Sequence, residues 1–162
     1  KKILSYANRP FNNVEEMNEK LISNWNSIVS RSDTVYHLGD FCFSNLEQTK
    51  IICSRLNGRK ILMKGNHDTA HSNTFWRKVG FSEIYNAPFV LYNFEIAHRP
   101  KFNTRQTFNI HGHTHYTDQR LEGFNVGVDA NGFKPILLET IYYSENYNKW
   151  HRETQQCAFS IR

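Results

Sequence analysis

Three histidines stand within one short segment, at His111, His113 and His115. Two imidazoles one residue apart on a tight turn can face two different metal ions, so metal binding is the first hypothesis for this segment. A histidine-rich turn by itself is also typical of a solvated loop. The triplet therefore indicates a metal site only if other candidate ligands lie beside it in the fold.

Two further groups of polar residues each follow a glycine at the end of an apolar run. Asp40 comes after the run 34–38, and the sequence Gly-Asn-His-Asp at 65–68 comes after the run 59–64. Both runs predict short buried strands. A glycine lets the chain turn sharply at a strand end, so the following side chain can point into a cleft. Asp40 and Asn66 are therefore candidate ligands for the same metal site.

Helices and strands alternate along the rest of the chain. The spacing of apolar residues from Val14 to Val29 predicts an amphipathic helix with a capping box at Asn13 and Glu16. The other predicted elements are a helix from about Ser44 to Asn57-Gly58, a hairpin over 88–98, a strand over 107–110, an alternating segment over 124–129, and a helix beyond Pro135 with Tyr143, Tyr147 and Trp150 packed inward. This order predicts a layered α/β domain with helices outside the sheets. The site then lies at the carboxyl ends of strands.

The composition is that of one domain. A chain of 162 residues buries a sizeable core but is short for two domains. The formal charge of +5 favours anionic partners, although a solvated surface reaches the same balance. Cys42, Cys53 and Cys157 form neither a disulfide framework nor a thiolate metal knuckle, which fits a reducing cytoplasm. Without a signal peptide or a long apolar run, we expect a cytoplasmic protein that does not enter the membrane.

Carboxylate, amide and imidazole groups in this pattern suit a pair of metal ions. A carboxylate can bridge two cations, while an amide oxygen and neutral imidazoles complete their coordination. Two ions about 3.5 to 4 Å apart clamp the attacking and leaving oxygens of a phosphoryl group. Asp40 suits the bridging position, and His113 and His115 can serve neighbouring ions. Two divalent ions of Mn, Fe, Zn or Ni fit this mixture of ligands.

The order of these motifs resembles the calcineurin-like metallophosphoesterase superfamily. Gly-Asp at 39–40, Gly-Asn-His-Asp at 65–68, the lone His98 and Gly-His-Thr-His at 112–115 follow one another as they do there. The segments NRPF at 8–11, VYHLGDF at 35–41 and NVGVD at 125–129 are similar to a small single-domain branch from bacteria and phages. The resemblance covers nearly the whole chain. It implies a four-layer α-β-β-α sandwich of two mixed sheets over residues 1–162.

The resemblance also implies which residues hold the metal ions. Asp40 is the bridging ligand, and Asn66, His98 and His113 complete one metal site with it. His115 serves the second ion. For His98, a hydrogen-bonded structural histidine is the alternative interpretation.

The same resemblance implies a mechanism. A metal-bridging hydroxide attacks phosphorus, while His67, held by Asp68, protonates or stabilises the leaving alkoxide. Arg9 is the best candidate to bind the substrate phosphate. Other cations that either meet this phosphate or form a solvated face are Arg99, Lys101 and Arg105. Nothing in the sequence assigns a role to Asn125 or Asp129.

The remaining histidines have less specific interpretations. His111 lies outside the Gly-His-Thr-His motif and is expected to support a ligand or the backbone. His37 lies inside a strand and is expected in the core or behind a ligand. His71 and His151 are expected at the surface.

One motif of the superfamily is missing. Its members open with a strand ending in Asp-x-His, whose two ligands share the metal ion of His115, and no such motif precedes Asp40. Residues 1–6 resemble the stretch that follows this motif, so we expect an amino-terminally incomplete domain without its first strand. These residues alone would hold one complete metal site and leave Asp40 and His115 for the second. A lost strand also exposes neighbouring strand edges.

Two functions from different classes follow from the sequence. The first is a dinuclear-metal phosphoesterase, specifically a phosphodiesterase acting on small or nucleotide-like esters. The second is a catalytically weakened protein that binds a phosphate ligand or nucleic acid in a one-metal cleft. The pair of His67 and Asp68 favours the first, and the missing motif favours the second. The sequence does not specify the substrate, the physiological metal or the oligomeric state.

Overall fold

The computed structural model describes residues 2–115 and 123–158, with side chains described up to residue 154. The helices are α1 Lys2–Tyr6, α2 Val14–Asn26, α3 Leu46–Ser54, α4 Asn73–Val79, α5 Leu138–Tyr142 and α6 Glu145–Ala158. The strands are β1 Thr34–His37, β2 Arg59–Met63, β3 Glu83–Tyr85, β4 Phe89–Leu91, β5 Phe94–Ala97, β6 Phe108–His111 and β7 Phe124–Asn125. Short 3-10 turns cover Asp68–Ala70 and Val128–Ala130.

Two helices begin at asparagine caps. In α2 the Asn13 side chain accepts a hydrogen bond from the backbone N–H of Glu16 at 2.8 Å, as predicted. The Glu16 carboxylate accepts a hydrogen bond from the N–H of Asn12 at 2.9 Å. The second bond of the capping box is therefore made one residue before Asn13, the predicted position. In α3 the cap is Asn45, which accepts from the N–H of Gln48 at 3.0 Å. An asparagine there satisfies one of the free N–H groups of the first turn, and it places the start of α3 slightly later than predicted.

The strands form two sheets. The first has the order β1-β2-β3, and both of its pairs are parallel. The second has the order β4-β5-β6-β7, with β4 and β5 antiparallel and the other pairs parallel. The predicted hairpin over 88–98 is therefore present as β4 and β5. The second sheet is mixed as predicted, whereas the first is purely parallel in the described part of the chain.

Each sheet packs against its own helices. Cys53 of α3 and Trp76 of α4 lie with Leu62 of β2 in one buried cluster. The second cluster joins the aromatic and aliphatic side chains of β5 and β6 to α5 and α6, and its members include Phe94, Ile96, Phe108, Ile110, Ile141, Tyr147 and Trp150. Burial of a large apolar side chain stabilises a fold by roughly 1.5–3 kcal/mol. Each sheet thus has its own hydrophobic core with its own helices.

Aromatic side chains join the two sheets face to face. The rings of Tyr85 in β3 and Phe89 in β4 stack with centroids 4.0 Å apart. Tyr36 of β1 also contacts Phe89, with centroids 6.0 Å apart. The molecule is therefore an α/β structure of two sheets in contact, each with its own helices, which is compatible with an α/β sandwich. The carboxyl ends of β1, β2, β5 and β6 supply the residues of the candidate site.

The structure differs from the sequence prediction in several elements. Helices α1 and α4 were not predicted. The single helix expected beyond Pro135 is two helices, because the Ser144 hydroxyl accepts from the N–H of Tyr147 at 3.2 Å and starts a new turn. Tyr147 and Trp150 pack inward as predicted, but Tyr143 is 68% exposed because it lies at the break. The segment 124–129 contributes only the short strand β7 before its 3-10 turn.

A cavity of about 590 Å³ lies between α2, β1 and the second sheet. Apolar side chains form much of its wall, among them Leu21, Trp25, Val35 and Ile110. Strand β1 is at the edge of its sheet in the described residues. Within residues 2–115 and 123–158, no helix combines the length and apolarity that crossing a membrane requires. Cys42 and Cys53 are free thiols, and the side chain of Cys157 lies outside the described residues.

Candidate metal centre

Four strand ends bring the predicted ligands of one metal site together. Asp40 follows β1, Asn66 follows β2, and His98 follows β5 directly. His113 follows β6 after Gly112. Asp40, His98 and His113 form a group of potential metal ligands whose donor atoms lie within 4.8 Å of one another.

Three side-chain atoms converge around the Nε2 atom of His98. The Nδ1 atom of His113 is 3.0 Å away, and the Oδ1 atom of Asn66 is 3.1 Å away. The Oδ2 atom of Asp40 is 3.4 Å away. Oxygen and imidazole nitrogen donors in this mixture suit Mn, Fe, Zn or Ni.

The ring of His98 is oriented by the backbone of β1. Its Nδ1 atom lies 2.6 Å from the carbonyl oxygen of Leu38. A carbonyl oxygen can only accept, so Nδ1 carries a hydrogen and Nε2 faces the other donors. Burial by itself would lower the pKa of His98, but hydrogen bonds to Asp40 and Leu38 outweigh it and raise the pKa above its ordinary value. A positive charge at this position is therefore favoured, whether a proton or a metal ion supplies it.

The carboxylate of Asp40 is held in its charged form. Burial alone would raise its pKa, but hydrogen bonds from His98 and from the backbone N–H of His67 outweigh burial and keep the pKa below its ordinary value. The His67 bond to Oδ1 of Asp40 is 3.0 Å long. This leaves the other oxygen, Oδ2, toward His98. Asp40 is thus an anionic donor at neutral pH.

Two glycines allow the loops after β1 and β2 to approach each other. A Cβ atom on Gly39 would lie 2.3 Å from the backbone nitrogen of Gly65. A Cβ atom on Gly65 would lie 2.2 Å from Oδ1 of Asp40 and 2.7 Å from Cε1 of His98. Gly39 also has a φ of +96°, the left-handed region that favours glycine. The predicted sharp turn is therefore present at Gly39, whereas Gly65 is needed for close approach.

Asp68 accepts hydrogen bonds from the backbone of two loops. Its buried carboxylate, in a residue only 2% exposed, accepts backbone hydrogen bonds from Asp40 at 2.6 Å, Phe41 at 3.2 Å and Gly65 at 2.9 Å. The described contacts include no hydrogen bond between Asp68 and His67, and the catalytic role of this pair stays a prediction. Asp68 thus satisfies N–H groups of the loops after β1 and β2.

His67 is exposed beside the centre. Its ring meets the ring of Phe43 edge to face, with centroids 4.8 Å apart, and Phe43 is itself 75% exposed. Because the backbone of His67 is bonded to Asp40, the imidazole stands next to the ligand group and open to solvent. It is therefore placed to reach a bound molecule.

His115 lies apart from the group of three and contacts a different carboxylate. Its Nδ1 atom is 2.8 Å from Oδ2 of Asp129. Arg9 reaches the same carboxylate with Nε at 2.7 Å and Nη2 at 2.8 Å. Substrate binding by Arg9 stays a prediction; the contacts described for its guanidinium lie inside the protein. The role of Asp129 was not identified from the sequence, although its place in the NVGVD segment was noted.

The other histidines occupy supporting or peripheral positions. His111 is 6% exposed, and its Nδ1 is 3.0 Å from the carbonyl oxygen of Gly112. His37 accepts from the N–H of Gly39 at 3.2 Å, directly behind Asp40. His71 stacks on Phe75 and is only partly exposed, and His151 is exposed on α6. Lys101 pairs with Glu95 at 2.8 Å on the surface, while Arg99 and Arg105 are exposed.

Comparisons with known proteins support the fold. No protein-family model matches the chain. Uncharacterized protein MJ1445 of Methanocaldococcus jannaschii is 36% identical over 152 residues, which cover 86% of this chain and 81% of that protein. The crystal structure of the protein of unknown function AQ665 from Aquifex aeolicus is similar with a TM-score of 0.63 and 26% identity, over 83% of this chain and 87% of that chain.

A third similarity is weaker. The crystal structure of Pseudomonas putida nuclease MPE matches 49% of this chain and 43% of its own, with 22% identity and a TM-score of 0.39. A score this low carries no argument about the fold or the activity of the present chain.

Proposed function

We propose that this chain, which belongs to the same family as MJ1445 of Methanocaldococcus jannaschii, is a metal-dependent phosphoesterase of the calcineurin-like metallophosphoesterase type. Its substrate is a phosphodiester, and its fold is the four-layer sandwich of that superfamily.

One observation supports this proposal above the others. Donor atoms of Asp40, Asn66 and His113 surround Nε2 of His98 at 3.0 to 3.4 Å, and each comes from a different strand end. These are the residues that the order of motifs in the sequence assigns to one metal site. An anionic carboxylate, an amide oxygen and imidazole nitrogens brought this close together are the mixture of donors that suits a divalent cation.

Each of these residues has its own role in the proposed reaction. A divalent cation held by Asp40, Asn66, His98 and His113 would supply Lewis-acid polarisation of the phosphoryl group. Asp40 brings the negative charge that retains it, and Leu38 keeps Nε2 of His98 turned toward it. His67, exposed next to Asp40, donates a proton to the leaving oxygen of the ester.

The main alternative is a protein that binds a phosphate ligand in a one-metal cleft without turnover. It is favoured by the finding that, in the described part of the chain, a single group of three acidic, histidine or cysteine ligands is present. His115 does not belong to that group. Both functions share the cation, so only turnover separates them.

Hydrolysis of bis(p-nitrophenyl) phosphate tests the proposal. We expect turnover that depends on added Mn²⁺ and is abolished by Asp40→Ala. On a dialkyl phosphodiester, whose alkoxide leaving group needs a proton, His67→Ala should lower the rate by 100-fold or more, because general acid catalysis contributes roughly 10²–10⁴-fold. His151→Ala is the matched control, since His151 is exposed on a helix away from the ligands. Mn²⁺ binding without any turnover would establish the alternative instead.

A further inference from the structure

A buried ion pair lies behind His115. The Asp129 side chain is 4% exposed and the Arg9 side chain 9% exposed. Arg9 donates to both carboxylate oxygens, through Nε to Oδ1 at 2.7 Å and through Nη2 to Oδ2 at 2.8 Å. This two-pronged geometry adds orientation to the charge attraction. It joins the residues after α1 to the 3-10 turn that contains Asp129.

Arg9 is anchored from several directions. Its backbone N–H donates to the carbonyl of Leu4 at 2.9 Å. Its Nη1 atom lies 3.3 Å from the sulfur of Met17, and the guanidinium carbon is 5.9 Å from the ring centroid of Phe133. A guanidinium with these contacts is a fixed part of the interior.

The ion pair controls the hydrogen positions on His115. The Arg9 guanidinium donates to both oxygens of Asp129, at 2.7 and 2.8 Å, which is the geometry of an ion pair with an ionised carboxylate. An ionised carboxylate can only accept, so Nδ1 of His115 carries the hydrogen of the 2.8 Å bond. In the neutral ring, Nε2 then keeps its lone pair.

We propose that Asp129 is a positioning residue, clamped by Arg9, that fixes the ring and tautomer of His115 so that its Nε2 atom is available to a cation. Carboxylates that orient a ligating histidine in this way change metal affinity by about 10–100-fold. The inference rests on the proposed function, and it concerns a second ion at His115 beside the ion of Asp40, Asn66, His98 and His113. It gives Arg9 and Asp129 a role that the sequence analysis left open or placed on the substrate.

The first test reads the tautomer of His115 in the metal-free protein. Long-range ¹⁵N–¹H spectra recorded above pH 8, with His115 assigned through His115→Gln, should show a single tautomer with the hydrogen on Nδ1. The double variant Arg9→Met/Asp129→Leu removes both charges and the acceptor, so no unpaired charge stays buried. It should convert His115 to a mixture of tautomers. This readout is independent of any catalysis.

The second test measures Mn²⁺ affinity by equilibrium dialysis. The double variant should weaken the ion bound with His115 by about 10–100-fold and leave the ion of Asp40, His98 and His113 within a few fold. A milder variant, Asp129→Asn, should also weaken Mn²⁺ binding, and it replaces the double variant if that variant does not fold. The matched control is Glu19→Gln, which breaks a second two-pronged pair, with Arg55, at a solvent-exposed position.

The outcomes separate this inference from the proposed function. A single Nδ1–H tautomer and unchanged Mn²⁺ affinity in a folded double variant would overturn the positioning role. A changed tautomer together with weakened Mn²⁺ binding in the double variant supports it, even if no phosphodiester is hydrolysed. A changed tautomer with unchanged Mn²⁺ affinity would overturn the claim that the clamp serves a cation.

Discussion

Two of the candidate ligands have backbone conformations that residues other than glycine rarely adopt. Asp40 has a φ of 56° and His113 a φ of 65°. Such left-handed conformations cost about 1–3 kcal/mol each and persist only when surrounding contacts enforce them. The N–H of Asp40 is held by Asp68, and the His113 ring is held against His98. Backbone strain is therefore concentrated at two residues whose side chains converge on the candidate metal site.

The donors of the centre were predictable residue by residue, and their supports were not. Asp40, Asn66, His98 and His113 stand in a recognisable order along the chain. The carbonyl of Leu38, which orients His98, carries no sequence signal at all. Asp68 and Asp129 find their partners across 28 and 120 positions of sequence. Which buried groups meet depends on packing, so the order of motifs in the sequence did not reveal these partners.

Gly65→Ala tests the close approach of the two loops. The new methyl group would overlap Oδ1 of Asp40 and crowd Cε1 of His98, so we expect Mn²⁺ affinity to fall at least about tenfold and stability by about 1–3 kcal/mol. Calorimetric titration and urea unfolding measure both. Gly112→Ala is the control, because a Cβ there would meet its nearest atoms at 3.7 Å, an ordinary contact. Equal effects of the two substitutions would contradict the steric explanation.

At the scale of elements, Asp68 ties the loop after β1 to the loop after β2. Its carboxylate accepts from residues 40, 41 and 65, and the indole of Trp76 in α4 donates to its carbonyl at 3.1 Å. One residue thus links two strand ends and a helix below the candidate ligands. This structural role of Asp68 was not predicted from the sequence.

Asp68→Asn should weaken this tie. An amide offers one acceptor oxygen where the carboxylate offers two, and it brings a buried NH₂ group in place of the other. We expect a loss of stability of about 2–4 kcal/mol, together with weaker Mn²⁺ binding. Urea unfolding with and without Mn²⁺ measures the two effects. Asp33→Asn is the control, because Asp33 caps a turn at an exposed position; a comparable loss there would argue against a special role for Asp68.

Local signals predicted some elements well and others poorly. Helix α2, strands β1 and β2 and the hairpin of β4 and β5 follow from apolar spacing, caps and turns. Helix α4 is short, and only Trp76 and Val79 are buried in it. Two residues are too few to show the helical spacing of apolar side chains. The break between α5 and α6 depends on a serine cap within a continuous aromatic stripe. Tertiary packing decided these cases.

Helix α3 is anchored on β2 through Cys53, and this contact makes stability depend on pH. Burial raises the pKa of the Cys53 thiol to about 11. The stabilisation by the buried neutral thiol is fully present below the ordinary thiol pKa of 9.0. As pH rises toward 11, the unfolded chain ionises first, so stability falls by roughly 2 kcal/mol. Urea unfolding from pH 8 to 11 should show a flatter slope in Cys53→Ala, and equal slopes would refute the assignment.

At the scale of the molecule, the two sheets contact each other through the rings of Tyr36, Tyr85 and Phe89. A cavity lies beside this contact. The cavity of about 590 Å³ reaches from α2 to Asp40, His98 and His113. Its apolar wall faces β1, which is an edge strand in the part of the chain that the structure describes. The layered class follows from the alternation of elements in the sequence, whereas this opening does not, because it depends on how the two sheets pack.

Four strand-end side chains, in our proposal, hold one divalent cation in a cleft between the sheets. Anomalous diffraction from crystals grown with Mn²⁺ tests it directly. We predict a peak within coordination distance of Oδ2 of Asp40, Oδ1 of Asn66, Nε2 of His98 and Nδ1 of His113, and no such peak in Asp40→Ala. A fully occupied Mn²⁺ position elsewhere, with these four atoms unligated, would contradict the account.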